Sequence, residues 1–362
     1  MAFDLDFALA QSVRAGASDL HLKVPSVPRM RVDGELMALP DAEPLRPEDT
    51  ARVKELVLNS ETKQRQFEEL GSADISYYTK EARYRVSIFL QRGSASFVFR
   101  VVPLAPEVST LGLPDVIPSW ADSKRGLVVV TGPTGSGKST TVAAIVDVVN
   151  TRHSCHILTI EDPIEYLHTD NKAVVCQREI GLDAPTYQVA LRAALRQDPD
   201  VIVIGEVRDE ESAMTALRAA ETGHLVLCTM HTVNATETVQ RFIDLFPAPQ
   251  SSLARQILAS TLVGISSQRL LPGANGGRVL NAEVLVNSSR VRDMIAEAVD
   301  QKDLNQAITE GDYYGMQSFD QDLIGKVRSG TVTMEDALAY ASNAHDFRLA
   351  LETTAPAAST PS

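Results

Sequence analysis

The stretch RGLVVVTGPTGSGKSTTVAAIVDVVN, Arg125 to Asn150, sets an apolar run, a glycine-rich loop and a helix-compatible run end to end. Its middle, GPTGSGKST from Gly132 to Thr140, satisfies G-x-x-x-x-G-K-[ST] in the context that motif requires, after a strand and before a helix. An incidental glycine turn would need neither flank. Gly132, Gly135 and Gly137 let the loop curl, so that backbone N–H groups, those of Thr134 and Ser136 among them, face an anion. Lys138 adds a point charge at the β- and γ-phosphate positions, Ser139 offers a hydroxyl to Mg²⁺, and Thr140 completes the motif. The ligand expected is ATP with Mg²⁺.

Working outward, the strand, loop, helix rhythm continues through HILTI, VIVIG and LVLCTM. Alternating units of this kind imply a largely parallel sheet covered on both faces. DPDVIVIGEVRD, Asp198 to Asp209, ends its apolar core in one carboxylate, Glu206. Such a strand delivers a carboxylate to magnesium, and hydrolysis calls for a second one to handle water. HILTIEDPIEYLH, His156 to His168, places Glu161, Asp162 and Glu165 at the end of another core strand, where ligands of open α/β sheets collect. Three carboxylates there repel unless a cation offsets them, although on spacing alone they could cap a following helix. Glu206 is therefore expected to orient the magnesium hydration shell while a carboxylate of the 161–165 segment handles the water.

His224 and His231 lie seven apart, which puts them on opposite faces of a strand that runs so far. They are not read as paired metal ligands, and His231, beside the phosphate site, is a candidate γ-phosphate sensor. Arg192 and Arg196 are four apart on a helix expected to run into the Glu206 strand, so both can face one way. Arg85, Arg92 and Arg100 fall on the last strands of a preceding domain. An ion-paired surface accounts for any one of these arginines alone. Beside a nucleotide site they raise the possibility of an arginine finger from a neighbouring domain or subunit.

At 362 residues, 44% hydrophobic and 22% charged, the chain is long enough for two cores. A net charge of −13 argues against a generic nucleic-acid or anionic-membrane surface and favours soluble protein partners. Cys155, Cys176 and Cys228 have no CxxC spacing, so they read as reduced residues of the cytoplasm. The first residues lack the pattern of a signal peptide, and no stretch is apolar enough to span a bilayer. The predicted order is an opening amphipathic helix over 3–15, a hairpin around Val32-Asp33-Gly34-Glu35, two short helices over 47–59 and 61–70, and further strands to Val102. Four prolines over 103–118 mark a linker, either a hinge or a packed connector. A strand, loop, helix domain is expected over 119–346, mainly helical beyond Ser251 apart from a strand at VLNAEVLV. Residues 347–362 read as a disordered tail.

Taken together, GASDLHLKV, RVDGEL, GPTGSGKST, LTIEDPIEY, VIVIGEVRD, ETGHLVLCTMHT and MQSFDQDL form an ordered series through nearly the whole chain that resembles the secretion ATPase superfamily, and within it the type IV pilus retraction ATPases. The resemblance implies a RecA-like ATPase domain after a smaller PAS-like α+β domain, a homo-hexamer in the cytoplasm at the inner face of the membrane, and an inner-membrane platform protein as partner. It assigns Lys138 and Ser139 to phosphate and magnesium, Glu206 to the Walker B carboxylate, Glu165 to the base and His231 to sensing. Arg85 and Arg100 match arginines that complete a neighbour's site. One stretch departs: where retraction ATPases carry A-I-R-N-L-I-R-E this chain has RVRDMIAE, with Ala296 in place of the second arginine. That leaves an accessory retraction ATPase or an assembly ATPase as alternatives; a nucleic-acid motor lacks its basic, aromatic stretch.

Overall fold

The computed structural model describes residues 3–58 and 60–353 and divides into two compact units, Met1–Pro103 and Leu104–Ser362. The first begins with α1 (Leu5–Arg14), whose N-cap Asp4 accepts a hydrogen bond from the Phe7 N–H. Three strands follow, β1 (Asp19–Leu22), β2 (Arg29–Val32) and β3 (Glu35–Ala38), then α2 (Pro47–Val57), α3 (Glu61–Leu70), β4 (Ser72–Tyr78), β5 (Arg83–Gln91) and β6 (Ser94–Val102). Between β2 and β3, Asp33 and Gly34 both take positive φ, 49° and 85°, as a two-residue hairpin requires. The six strands form an antiparallel sheet in the order β3-β2-β1-β6-β5-β4. One face buries Leu20, Met30, Val86, Phe97 and Phe99 against Leu5 and Leu9 of α1 and Val53 and Val57 of α2. This is the small α+β domain that the sequence led us to expect.

The second unit opens with α4 (Val116–Ser119), β7 (Gly126–Thr131), α5 (Lys138–Arg152), β8 (His156–Glu161), β9 (Val174–Glu179), α6 (Tyr187–Ala194), β10 (Val201–Ile204), α7 (Glu210–Glu221) and β11 (Leu225–Met230). It continues through α8 (Ala235–Asp244), α9 (Ala248–Thr261), β12 (Leu262–Pro272) and β13 (Arg278–Val286), then the helices α10 (Ser289–Glu297), α11 (Gln301–Thr309), α12 (Phe319–Arg328), α13 (Met334–Tyr340) and α14 (Ala344–Thr353). The sheet order is β13-β12-β7-β11-β10-β8-β9, parallel throughout except for β12–β13. Period-two alternation sends Leu158, Ile202, Ile204, Val226 and Cys228 to one face under α7, α8 and α9. Ile157, Val201, Val203, Leu225 and Leu227 face the other way, under α5. The result is a RecA-like α/β sheet buried on both faces.

Within the 103–118 stretch Leu104 bridges to Leu167, and Val108, Leu113, Val116 and Ile117 pack against the α5 face, as the connector reading of that stretch expects. Two expectations change. Beyond Ser251 a second strand appears, β12, whose Ser266, Ser267 and Gln268 are fully buried. The expected tail begins as helix, since α14 runs to Thr353 and seats Phe347 among Leu271, Leu323, Val332 and Ala337; residues 354–362 lie outside the described residues.

At the sheet border, the β9 N–H groups of Val175 and Glu179, which point away from β8, donate to the carboxylates of Asp170 and Asp183 at 3.0 and 2.8 Å.

Candidate active site

At the carboxyl ends of β7, β8, β10 and β11 lies a cleft of roughly 710 Å³. β7 delivers the glycine-rich loop to its floor. Gly132 has φ +142°, and a Cβ there would stand 2.4 Å from the Gln268 carbonyl and 2.5 Å from Ser136 Oγ, so only glycine fits. Gly135 and Gly137 also take positive φ, and Gly137 caps α5. Lys138, buried at the first position of α5, donates from Nζ to the carbonyls of Gly132 and Pro133 at 2.7 and 3.0 Å. Burial pulls its pKa below the usual lysine range, against the charge of Glu206. Ser136 Oγ is buried without a hydrogen-bond partner. Ser139 is exposed to the cleft, and Thr140 Oγ1 meets the Tyr166 hydroxyl at 2.9 Å. Thr134 and Gly135 line the same floor.

One side of the cleft is the acidic loop after β8. Glu161 Oε1 accepts from Thr159 Oγ1 at 2.6 Å and from Gln177 Nε2 at 3.1 Å. Asp162 and Glu165 are exposed and line the cleft. Across from them Glu206, one residue past the end of the β10–Gly205 run, accepts from Arg208 Nη2 at 2.5 Å and lies 3.4 Å from His231 Nε2. Burial alone would raise the Glu206 carboxyl, but the Arg208 hydrogen bond and the His231 charge hold it below the usual carboxylate range. Tyr187 on α6 fills the space between the two acidic sides, its hydroxyl pushed up by burial and then by the charges of Asp162 and Glu161. A loop of backbone donors with a buried lysine, faced by a carboxylate beside a histidine and by a second acidic loop, is the arrangement of a nucleoside-triphosphatase.

The family model described as Type II/IV secretion system protein matches residues 4–339. The chain belongs to that family. It is 40% identical over 348 residues to the type IV pilus retraction ATPase PilT of Pseudomonas aeruginosa, covering 95% of this chain and 100% of that one. It is also 40% identical over 345 residues to the type IV pilus ATPase PilU of the same organism, covering 94% and 89%. The crystal structure of the pilus retraction motor PilT with bound ADP superposes with a TM-score of 0.85 at 42% identity, covering 95% of this chain and 98% of that one. As a member of the secretion ATPases, the chain is a nucleotide-binding enzyme.

Within this secretion-family site the remaining sequence candidates separate. His224 and His231 do not share a strand: they flank β11 at its two ends, and His224 Nδ1 pairs with the Ala219 carbonyl at the end of α7. Helix α6 stops at Ala194, so Arg196 lies in the turn beyond it and the expected common face with Arg192 is lost. Arg192 instead pairs with Glu211 of α7 at 2.6 Å, and neither arginine lines the cleft. Arg85 and Arg100 are direct cross-strand partners on β5 and β6 of the first unit. Arg100 Nε donates to the buried Asp19 carboxylate of β1 at 2.8 Å, which holds that carboxyl low even though burial pushes it up. Arg92 sits in the β5–β6 turn with φ +51°. Arg208, Arg278, Tyr166 and Tyr187 are among the cleft residues that the sequence does not single out; Arg208 is announced only by its place two residues after Glu206.

Proposed function

We propose that the chain is a cytoplasmic motor ATPase that works as a homo-hexamer at the inner face of the membrane and hydrolyses ATP to drive type IV pilus retraction, against an inner-membrane platform protein. The observation that carries this reading is the full-length likeness to PilT, 40% identity over 95% of the chain, joined to a complete cleft. The orphaned Ser136 hydroxyl, the exposed Ser139 and the Lys138 ammonium form a floor suited to phosphate oxygens. Glu206, ionised beside Arg208, suits a divalent cation held through water, with Ser139 as its direct hydroxyl ligand. Bound Mg²⁺ would neutralise charge building on the phosphate oxygens. Glu165 takes the proton of the attacking water, with Glu161 and Asp162 beside it. His231, within reach of Glu206, reads the terminal phosphate. Arg85 and Arg100 complete the site of a neighbouring subunit.

A second reading, an accessory retraction ATPase, is favoured by equal identity to PilU and by Ala296. Deleting the gene and counting surface pili tests the retraction reading. Excess, non-retracting pili are expected. Bald cells would mark an assembly ATPase and sink it, and wild-type retraction that weakens only under load would favour the accessory reading.

A further inference from the structure

Edge strand β9 does more than close the sheet. Gln177, in its middle, donates from Nε2 to Glu161 Oε1 at 3.1 Å and to the Tyr166 carbonyl at 2.9 Å. Its Oε1 accepts from the His168 N–H at 3.0 Å. Two residues on, and so on the same side of the strand, buried Glu179 accepts from the Ile164 N–H at 3.1 Å. The Ile180 N–H donates to the Glu161 carbonyl at 2.9 Å. Five hydrogen bonds thus fix the start, middle and end of the loop that carries Asp162 and Glu165. At its far end the loop touches the phosphate floor through Tyr166 and Thr140. Gln177 itself does not line the cleft.

We propose that Gln177 is a positioning residue for hydrolysis: its single amide holds both ends of the acidic loop and so sets the distance between the water-activating carboxylate and the phosphate floor, without touching nucleotide. The inference rests on the reading that a carboxylate of the 161–165 segment handles the water. Chemically the site calls for glutamine. Two donor bonds and one acceptor bond leave one short planar group in fixed directions. Glutamate loses both donors and faces Glu161 with a like charge, and asparagine falls one carbon short. A displacement of the loop by about 1 Å costs on the order of a hundredfold in the chemical step while leaving ground-state binding in place.

The test compares Gln177→Glu and Gln177→Asn in the full-length chain with Glu165→Gln and Glu161→Gln as references. Steady-state hydrolysis is read alongside affinity for a non-hydrolysable ATP analogue, melting temperature, and hydrogen exchange over 161–168. Both Gln177 variants should lose about tenfold or more in kcat, bind the analogue within about threefold of wild type, and exchange faster over 161–168 but not over the glycine-rich loop. If a reference variant is inactive while both Gln177 variants keep kcat within twofold, the positioning role is wrong. Weaker analogue binding at unchanged kcat would make Gln177 a nucleotide-site residue, and a collapse of melting temperature in both variants would make it architectural; either overturns the proposal. If Glu165→Gln and Glu161→Gln both turn over normally, the underlying reading of the acidic loop fails instead.

Discussion

Lys138 is the cation around which the loop is wound, donating to two carbonyls of the turn that carries it. Lys138→Ala removes both that brace and the side-chain counterion of the phosphates, and turnover in a phosphate-release assay should fall to background; wild-type rates would exclude the loop as the ATP site. Glu165→Gln removes a base but leaves the floor intact, so kcat should fall on the order of a hundredfold with analogue binding retained. Normal turnover in that variant beside a dead Glu161→Gln would move the base to Glu161. His168, at the end of the same loop, carries a buried Nδ1 with no partner, and burial lowers its pKa from 6.5 to about 4. Below pH 6.5 the unfolded chain takes up a proton that the fold refuses. The contribution of neutral His168 is complete above pH 6.5 and declines as pH falls toward 4, a loss of about 2 kcal/mol by pH 4.5. Thermal melts of His168→Gln should therefore show a shallower decline than wild type between pH 6.5 and 4.5.

At the scale of elements, β7, β8, β10 and β11 are legible because each centres on a short run rich in Val, Ile and Leu between polar or glycine-containing segments, and the glycine-rich loop is legible because its motif states its own context. β12 escapes for a physical reason. Its centre, Ser266-Ser267-Gln268, is polar, yet it is buried because the side chains satisfy one another and their neighbours: Ser267 accepts from Thr131 at 2.9 Å, and Gln268 donates to Thr141 and Ser266 at 2.9 and 3.3 Å. A pattern of apolar periods cannot see a strand stabilised by mutual hydrogen bonding. β9 is hidden likewise, since VVCQRE alternates weakly and owes its place to the loop it holds. Arg192 and Arg196 share a helix in the sequence reading because Arg196 continues the helical spacing, while the backbone leaves the helix after Ala194. Residues 347–353 of α14 read as tail because the small polar run after them in the sequence dilutes one anchoring residue. Phe347→Ala empties the seat among Leu271, Leu323 and Val332, and chemical denaturation should report a loss of about 3 to 5 kcal/mol, or separate melting of the closing helices.

At the scale of the whole molecule, the glycine-rich loop and the Arg85–Arg100 pair belong to different compact units. If each site is built between subunits, Lys138→Ala and Arg100→Ala are each inactive alone, for losses on opposite sides of one interface. Mixed in common rings, about a quarter of randomly formed head-to-tail interfaces pair an intact loop with an intact arginine, so partial activity should return. The measurement needs verified subunit exchange; exchange with no recovery at independent sites would place Arg100 outside the reaction or within its own chain. The chain's acidic balance suits such an assembly, since like-charged rings stay apart in solution. The border strand bears on the same question from another side. Asp170 and Asp183 occupy the outward N–H groups of β9 at 175 and 179, the groups through which a foreign strand would zip onto the sheet. Resistance to strand addition at this border thus hangs in part on two surface carboxylates outside the cleft, and their loss would surface as amyloid-like stacking of the chain.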